Sequence, residues 1–213
     1  MTRVKTIFVL MALVSLWLAE RPPVSWGGSH EEFIAAQKER WMSWRKERDE
    51  FFKTHQRSPL SEKERKNFKG LTYYPFSPNY VFNGPIKRYV LNINNPEYYA
   101  TFITNKGVNK RYIRYGKFRF QLDGKEHALE VYKSILSDAL FIPFKDTTNG
   151  KETYEAGRYI DGEILNGYKM ELDFNMAYYP LCAYNEKYTC VLPPRDNTLS
   201  ISIRAGEKSS KPF

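Results

Sequence analysis

The spacing of apolar residues changes near residue 70, and the change divides the chain in two. Ser29 and Glu32 form a capping box, after which Phe33, Gln37, Trp41, Trp44, Arg48 and Phe51 recur at helical spacing among Lys, Arg and Glu. The pattern predicts an amphipathic helix over about 30–54 whose apolar stripe carries Phe33, Trp41, Trp44 and Phe51. Its charges are mixed in sign, as on a solvated outer face. A second capping box, Ser61 with Glu64, opens a short helix that Gly70 closes.

Beyond Gly70 the period falls to two. Asp123-Gly124 separates alternating runs at 111–122 and 126–133, the signal of a hairpin. Phe118, Phe120 and Leu122 fall on one face of the first run, with Lys117, Arg119 and Gln121 on the other. Ala139 to Phe144 reads as a short apolar strand, Asn149-Gly150 as a turn, and Leu199 to Ile203 as a final strand. Residues 168–178 alternate without a break. Tyr168, Met170, Leu172, Phe174, Met176 and Tyr178 take one face, and Lys169, Glu171, Asp173 and Asn175 take the other. These elements predict an α+β fold dominated by an antiparallel sheet, closed or nearly closed as a barrel or sandwich, with the N-terminal helices packed outside. An open sheet with helices on one face is the alternative.

The turn at Asn166-Gly167 allows two registers. A two-residue loop pairs Leu165 with Tyr168 and mixes charged and apolar groups on both faces. A three-residue loop pairs Ile164 with Tyr168 and Ile160 with Leu172, which separates them. The second register is expected. It sets Arg158 opposite Phe174 on the apolar side, where a guanidinium needs a buried partner, and Asp146 is the expected one.

The start of the chain adds a targeting segment. Arg3 and Lys5 precede an apolar run of thirteen residues, Ile7 to Ala19, broken only by Ser15. That suits a signal peptide and falls short of the roughly 20 residues of a spanning helix. No small-x-small triplet follows directly; Ser25-Trp26-Gly27 is the best cleavage site, and an uncleaved anchor is the alternative. The organisation expected is a signal or anchor over 1–27, a helical segment over 28–70, an antiparallel β domain over 71–208 and a polar tail over 209–213. The body is expected outside the cytoplasm, periplasmic or extracellular, with membrane contact only through the N-terminal segment.

Charge and composition narrow the chemistry. The formal net charge is +9, and residues 86–119 carry eight Lys or Arg against one Glu. Arg111, Arg114, Lys117 and Arg119 interleave with Tyr112, Tyr115 and Phe118, which could stack on bases. Alternation puts Arg114 on a different strand face from Arg111, Lys117 and Arg119, and that division, with export, disfavours nucleic acid. A small-molecule or anionic ligand is the partner expected. The three histidines, at 30, 55 and 127, have no metal-binding spacing, and neither a nucleophile elbow, a P-loop nor a dinucleotide fingerprint is present; no cofactor is expected. His127 reads as a surface-edge residue. Cys182 and Cys190 are the only cysteines and lie eight residues apart, so export predicts a disulfide between them.

The densest motifs lie in the second half. Asp146-x-Thr148-x-Gly150-x-x-Thr153-Tyr154-x-x-Gly157-Arg158-Tyr159-x-Asp161 is followed by Leu172-Asp173-Phe174-Asn175-x-Ala177-Tyr178 and Pro180-x-Cys182-Ala183-Tyr184-Asn185. Cys190-x-Leu192-Pro193-Pro194-x-x-Asn197 and Ala205-Gly206-Glu207-Lys208 complete the series. Earlier come Phe52-Lys53, Ser58-Pro59-Leu60, Phe68 and Gly70-Leu71-x-Tyr73-Tyr74-Pro75. Over about 45–208 the chain resembles the bacterial and archaeal domain-of-unknown-function family 1684. It departs from that pattern at Val191, where proline is usual, and at Tyr179, where asparagine is common. The resemblance implies no activity.

Two functions remain. The first is a non-catalytic cell-envelope module holding a ligand in an aromatic pocket, with Asp146, Thr153, Tyr154, Arg158, Tyr159, Asp161, Asp173 and Asn175 as candidate contacts. The second is a carboxylate-based, metal-assisted or metal-free hydrolase using Asp146, Asp161 and Asp173, which requires two of the three to converge in one cleft.

Overall fold

A computed structural model describes residues 29–90 and 92–209. The predicted targeting segment lies outside the described residues. Helix α1 covers His30–Thr54, and Ser29 and Glu32 cap it reciprocally. Helix α2, Glu62–Asn67, is capped by Ser61 and Glu64 in the same way. Seven strands follow: β1 Val81–Arg88, β2 Tyr99–Ile103, β3 Asn109–Leu122, β4 Lys125–Lys133, β5 Leu140–Phe144, β6 Arg158–Asn166 and β7 Lys169–Asp173.

All strand pairings are antiparallel, in the order β1-β7-β6-β5-β4-β3-β2, and β1 also pairs with β3. Six strands therefore close a barrel, and β2 extends it along the first half of β3. A bulge between Arg114 and Gly116 divides β3, so that 109–113 pairs with β2 and 116–118 with β1. Gly116 permits the closure: a Cβ there would lie 2.6 Å from the Lys87 carbonyl oxygen.

The barrel is filled by Ile86, Phe118, Leu129, Ile142, Ile160, Leu172 and Phe174, among others. Each such side chain contributes about 1.5–3 kcal/mol when fully buried. A second aromatic cluster lies outside the barrel, built on Ala100, Phe102, Tyr132, Tyr159 and Val191. Helix α1 covers the outer face of β7. Trp41 packs on Phe76, Trp44 on Tyr73, and the Arg45 guanidinium lies over the rings of Trp41 and Tyr73. Trp41 is buried as expected, but Phe52 is buried more completely than Phe51, because Tyr184 and Phe68 close over it.

Four expectations are corrected. The β6–β7 hairpin pairs Ile164 with Met170, not with Tyr168, and shifts register between Ile164 and Asn166. The bulge supplies the separation of faces that a longer loop was expected to supply. Ile160 pairs instead with Ile142 of β5, and Arg158 lies opposite Phe144 rather than Phe174. The run 168–178 is not one strand: β7 ends at Asp173, where the Asp173 side chain caps a 3-10 turn at Phe174–Met176. Leu199–Ile203 forms no strand; it is tied to 145–147 by a few backbone bonds, including the Leu199 amide to the Lys145 carbonyl. Finally, the β3 bulge places Arg114 opposite Tyr132 and Lys117 opposite Glu130, so both share a face with Arg119. His127 stands half-buried beside Phe120 on the β3–β4 hairpin.

Candidate ligand cleft

The predicted site residues separate into three groups. The first surrounds Arg158, which is fully buried. Its Nη2 donates to Asp146 Oδ2 (2.7 Å) and to the Ile203 carbonyl (2.7 Å), and Nη1 donates to the carbonyls of Ala205 and Glu207. Asp146 also accepts from the Ile203 amide and from the amide and hydroxyl of Thr148. The Thr148 hydroxyl meets that of Thr153 at 2.8 Å. Gly206, at φ +77°, passes so close to the Phe174 and Ala177 carbonyls that a Cβ would stand 2.7 and 2.6 Å from them. The expected Arg158–Asp146 pair is therefore present despite the changed register. It clamps the 203–207 segment across the end of the barrel where β5 finishes and β6 begins, and both terminal guanidinium nitrogens are spent on the protein itself, while the buried Nε has no partner.

The second group is Asp173 with Asn175. Asn175 bonds both backbone groups of Ser77, accepting at 2.9 Å and donating at 2.9 Å, while Asp173 Oδ1 accepts from the Asn175 amide and side chain. Arg40 of α1 pairs with Glu171 and reaches Asp173 at 3.6 Å. The helix has thus buried two carboxylates that alternation placed on an open face. Desolvation raises Asp173 to about 6, against the opposing pull of Asn175 and Arg40.

The third group belongs to a cleft of about 460 Å³ on the outside of the barrel. Tyr112 of β3, Phe141 of β5 and Tyr159 of β6 form its aromatic floor. The Tyr112 and Phe141 rings stack with centroids 5.1 Å apart, and Tyr159 meets Phe141 edge-on at 4.8 Å. The Tyr159 hydroxyl is held by the Val191 carbonyl. Tyr178 stands against Tyr159, and its hydroxyl donates to Asp161 Oδ1 at 3.0 Å. Although Asp161 meets solvent, the cleft walls crowd it, and desolvation raises its pKa against the Tyr178 hydrogen bond.

Two cations border the cleft. The Arg48 guanidinium lies 4.6 Å from the Tyr178 ring centre and reaches Glu207 at 3.3 Å. Lys110 donates to the Thr189 carbonyl at 3.1 Å, which leaves further donors on its ammonium group. Cys190 lines the same wall. It stands beside Cys182 as a free thiol rather than in the expected bridge, with the Cys182 amide 3.3 Å from the Cys190 sulfur. Hydrogen bonding from Cys182 lowers the Cys190 pKa, helped by Lys110, and raises that of Cys182. Tyr154 packs near Cys182 and Tyr179 behind this wall.

Of the eight candidates, only Tyr159 and Asp161 line the cleft. Sequence reasoning missed Lys110, Phe141 and Tyr178 as site residues, and Arg48 was read only as one step of a helical period. Each comes from a different element, so no local spacing connects them. The three aspartates do not converge: Asp146 belongs to the clamp, Asp173 lies under α1, and Asp161 is in the cleft.

No curated protein matches the sequence. Among solved structures, an uncharacterised protein of Haloarcula marismortui determined by solution NMR is similar, with 29% identity and a TM-score of 0.65. The alignment covers 84% of this chain and 97% of that one. A family model described as a protein of unknown function, DUF1684, matches residues 66–208. That span holds the barrel, the Arg158 clamp and the cleft's aromatic floor, and the chain belongs to the DUF1684 family.

Proposed function

We propose that this chain is a binding module of the cell envelope that holds a small, anionic ligand against the aromatic floor of the cleft. The observation that carries this reading is the meeting of the Tyr112, Phe141 and Tyr159 rings with Arg48 and Lys110 around one concavity. Flat apolar walls with a few polar groups at the edge suit a small planar ligand. Two cations against the single Asp161 carboxylate favour a ligand with negative charge. The dispersal of the three aspartates disfavours the paired-carboxylate hydrolase. Export rests on the N-terminal sequence, and in an oxidising compartment Cys182 and Cys190 would join, fixing the 183–189 loop beside the cleft.

A thermal-shift series with aromatic carboxylates, sugar phosphates and their neutral analogues tests the reading. Anionic aromatic compounds should raise the melting temperature, and neutral analogues should not. Equal stabilisation by both classes, or turnover of any compound, would overturn it.

A further inference from the structure

The strands alternate in direction, so the chain connections sort to two ends of the barrel. The 89–98 connection, the 134–139 connection and the Gly167-Tyr168 turn lie at the end where β1, β4 and β6 finish, whereas the 104–108 turn folds onto the 187–191 loop, which meets the chain just beyond α1 at Arg57. Among the described residues, exposed large apolar side chains gather there. Val90 is 100% exposed, Leu136 90%, Ile93 66%, Tyr168 61% and Ile135 50%. Ile103, Val108 and Leu192 are also exposed, but they lie apart, where the tip of the β2–β3 hairpin packs on the 187–192 loop towards the clamp; the Asp123-Gly124 turn carries none of the described large exposed apolar side chains. Apolar tips clustered at one end of a barrel are not explained by its core.

Two further observations say what covers them. Helix α1 begins at this same end, because Gln37 meets Glu171 while Arg40, one turn later, reaches Asp173, and Arg48 reaches Glu207 beside the clamp. The 28 residues that precede Ser29, with their apolar run Ile7–Ala19, therefore join the fold at the end that carries the apolar tips. The strand ends at the rim are basic: Lys87 and Arg88 end β1, Lys169 begins β7, and all three are exposed. The exposed carboxylates of this end, Glu97 in the 89–98 connection and Glu31 and Glu32 on the first turn of α1, lie off the strands. Asp138, in the 134–139 connection, is neutralised by Lys133.

We propose that this end of the barrel rests on an anionic phospholipid bilayer, with Val90, Ile93, Leu136 and Tyr168 in the headgroup layer and the basic rim on the phosphates. Apolar and aromatic tips with Lys and Arg behind them are the chemistry of an interfacial contact. The inference is independent of the cleft ligand.

The test uses the full chain reconstituted in vesicles of phosphatidylethanolamine and phosphatidylglycerol. Leu136→Trp and, at the opposite end, Lys125→Trp are compared, with the wild-type chain as the background for its own tryptophans. Both positions are exposed, so both variants should fold. Brominated acyl chains should quench the added Trp at 136 by about twofold or more and leave the one at 125 unchanged. Equal quenching at both positions, or none at 136, would overturn the proposal. So would shielding of 136 that depends on protein concentration in detergent without lipid, which would make the end a contact between copies. In pure phosphatidylcholine the quenching at 136 should weaken; an unchanged signal would overturn the role of the basic rim.

Discussion

The clamp and the cleft are built in opposite ways. The clamp draws Asp146, Thr148, Thr153 and Arg158 from one short stretch and the 203–207 backbone from another, and nearly every polar group in it has a protein partner. The cleft draws side chains from α1, β3, β5, β6 and the 178–191 loops, and leaves donors on Lys110 and one oxygen of Asp161 facing open space. The density of a motif therefore marks where a backbone path and a buried charge admit few residues. It does not mark where a ligand would sit.

The comparison breaks most sharply at Arg158. Arg158→Met removes the charge but keeps much of the volume, and leaves Asp146 buried with the Ile203, Ala205 and Glu207 groups unmet. Such a loss costs about 3–5 kcal/mol. Urea unfolding should show it as a lower midpoint. A change under about 1 kcal/mol would mean the clamp is not structural. Asp146→Asn should fall in the same range and add little on top of Arg158→Met, because the two act through one network.

Glu207 joins the clamp to α1, and its behaviour gives a second test. Burial raises its carboxyl to about 7, although Arg48 and the Tyr179 amide pull the other way. A carboxyl raised on folding holds its proton more tightly in the folded state. Its contribution is full below the unfolded value near 4.5 and is lost as pH rises through about 7. The loss is on the order of 3 kcal/mol across that window. Glu207→Gln should flatten the fall in melting temperature between pH 5 and 8. An unaltered slope would assign it to Asp173, which burial raises to about 6.

Local patterns read well wherever the neighbours in space are neighbours in sequence. Both capping boxes, the span of α1 and the Asp123-Gly124 hairpin follow from a few adjacent residues. The Arg158–Asp146 pair was legible for another reason: a buried guanidinium demands a carboxylate, whatever the register that buries it. The β6–β7 register was not legible, because a bulge restores the separation of faces and leaves no trace in alternation. The β3 bulge reversed the face of Arg114 in the same way. Asp173 and Glu171 looked solvated because nothing in their own strand records that Arg40 and Gln37 lie over them. Closure through β1 and β3 was only partly legible, since Gly116 matters through its approach to Lys87 some thirty residues away.

The cysteine pair lies between clamp and cleft in expected effect. Oxidation would close a loop of nine residues, contributing about 2–3 kcal/mol in the chain-entropy model. Thiol titration and intact mass with and without reductant should show one bridge in protein recovered from an oxidising compartment. The melting temperature should fall on reduction. Two titratable thiols in such a preparation would show that the pair works reduced, with Cys190 as the more reactive thiol.

The smallest expected effect on stability carries the most information about function. Lys110 is exposed and makes a single bond to the Thr189 carbonyl, so Lys110→Ala should change unfolding free energy by no more than about 0.5 kcal/mol. Under the proposed function it should nonetheless remove most of the stabilisation that an anionic aromatic compound confers, because one of the two cations at the cleft is gone. Raised salt should weaken that stabilisation in the wild type and much less in the variant, since screening acts on a charge pair the variant lacks. Arg48→Ala cannot serve instead: its guanidinium also supports Glu207 and the Trp44 and Tyr178 rings, so binding and folding would fall together. If Lys110→Ala leaves ligand stabilisation intact, the cleft does not select negative charge. If it unfolds the chain, the contrast between a clamp that holds and a cleft that binds does not stand.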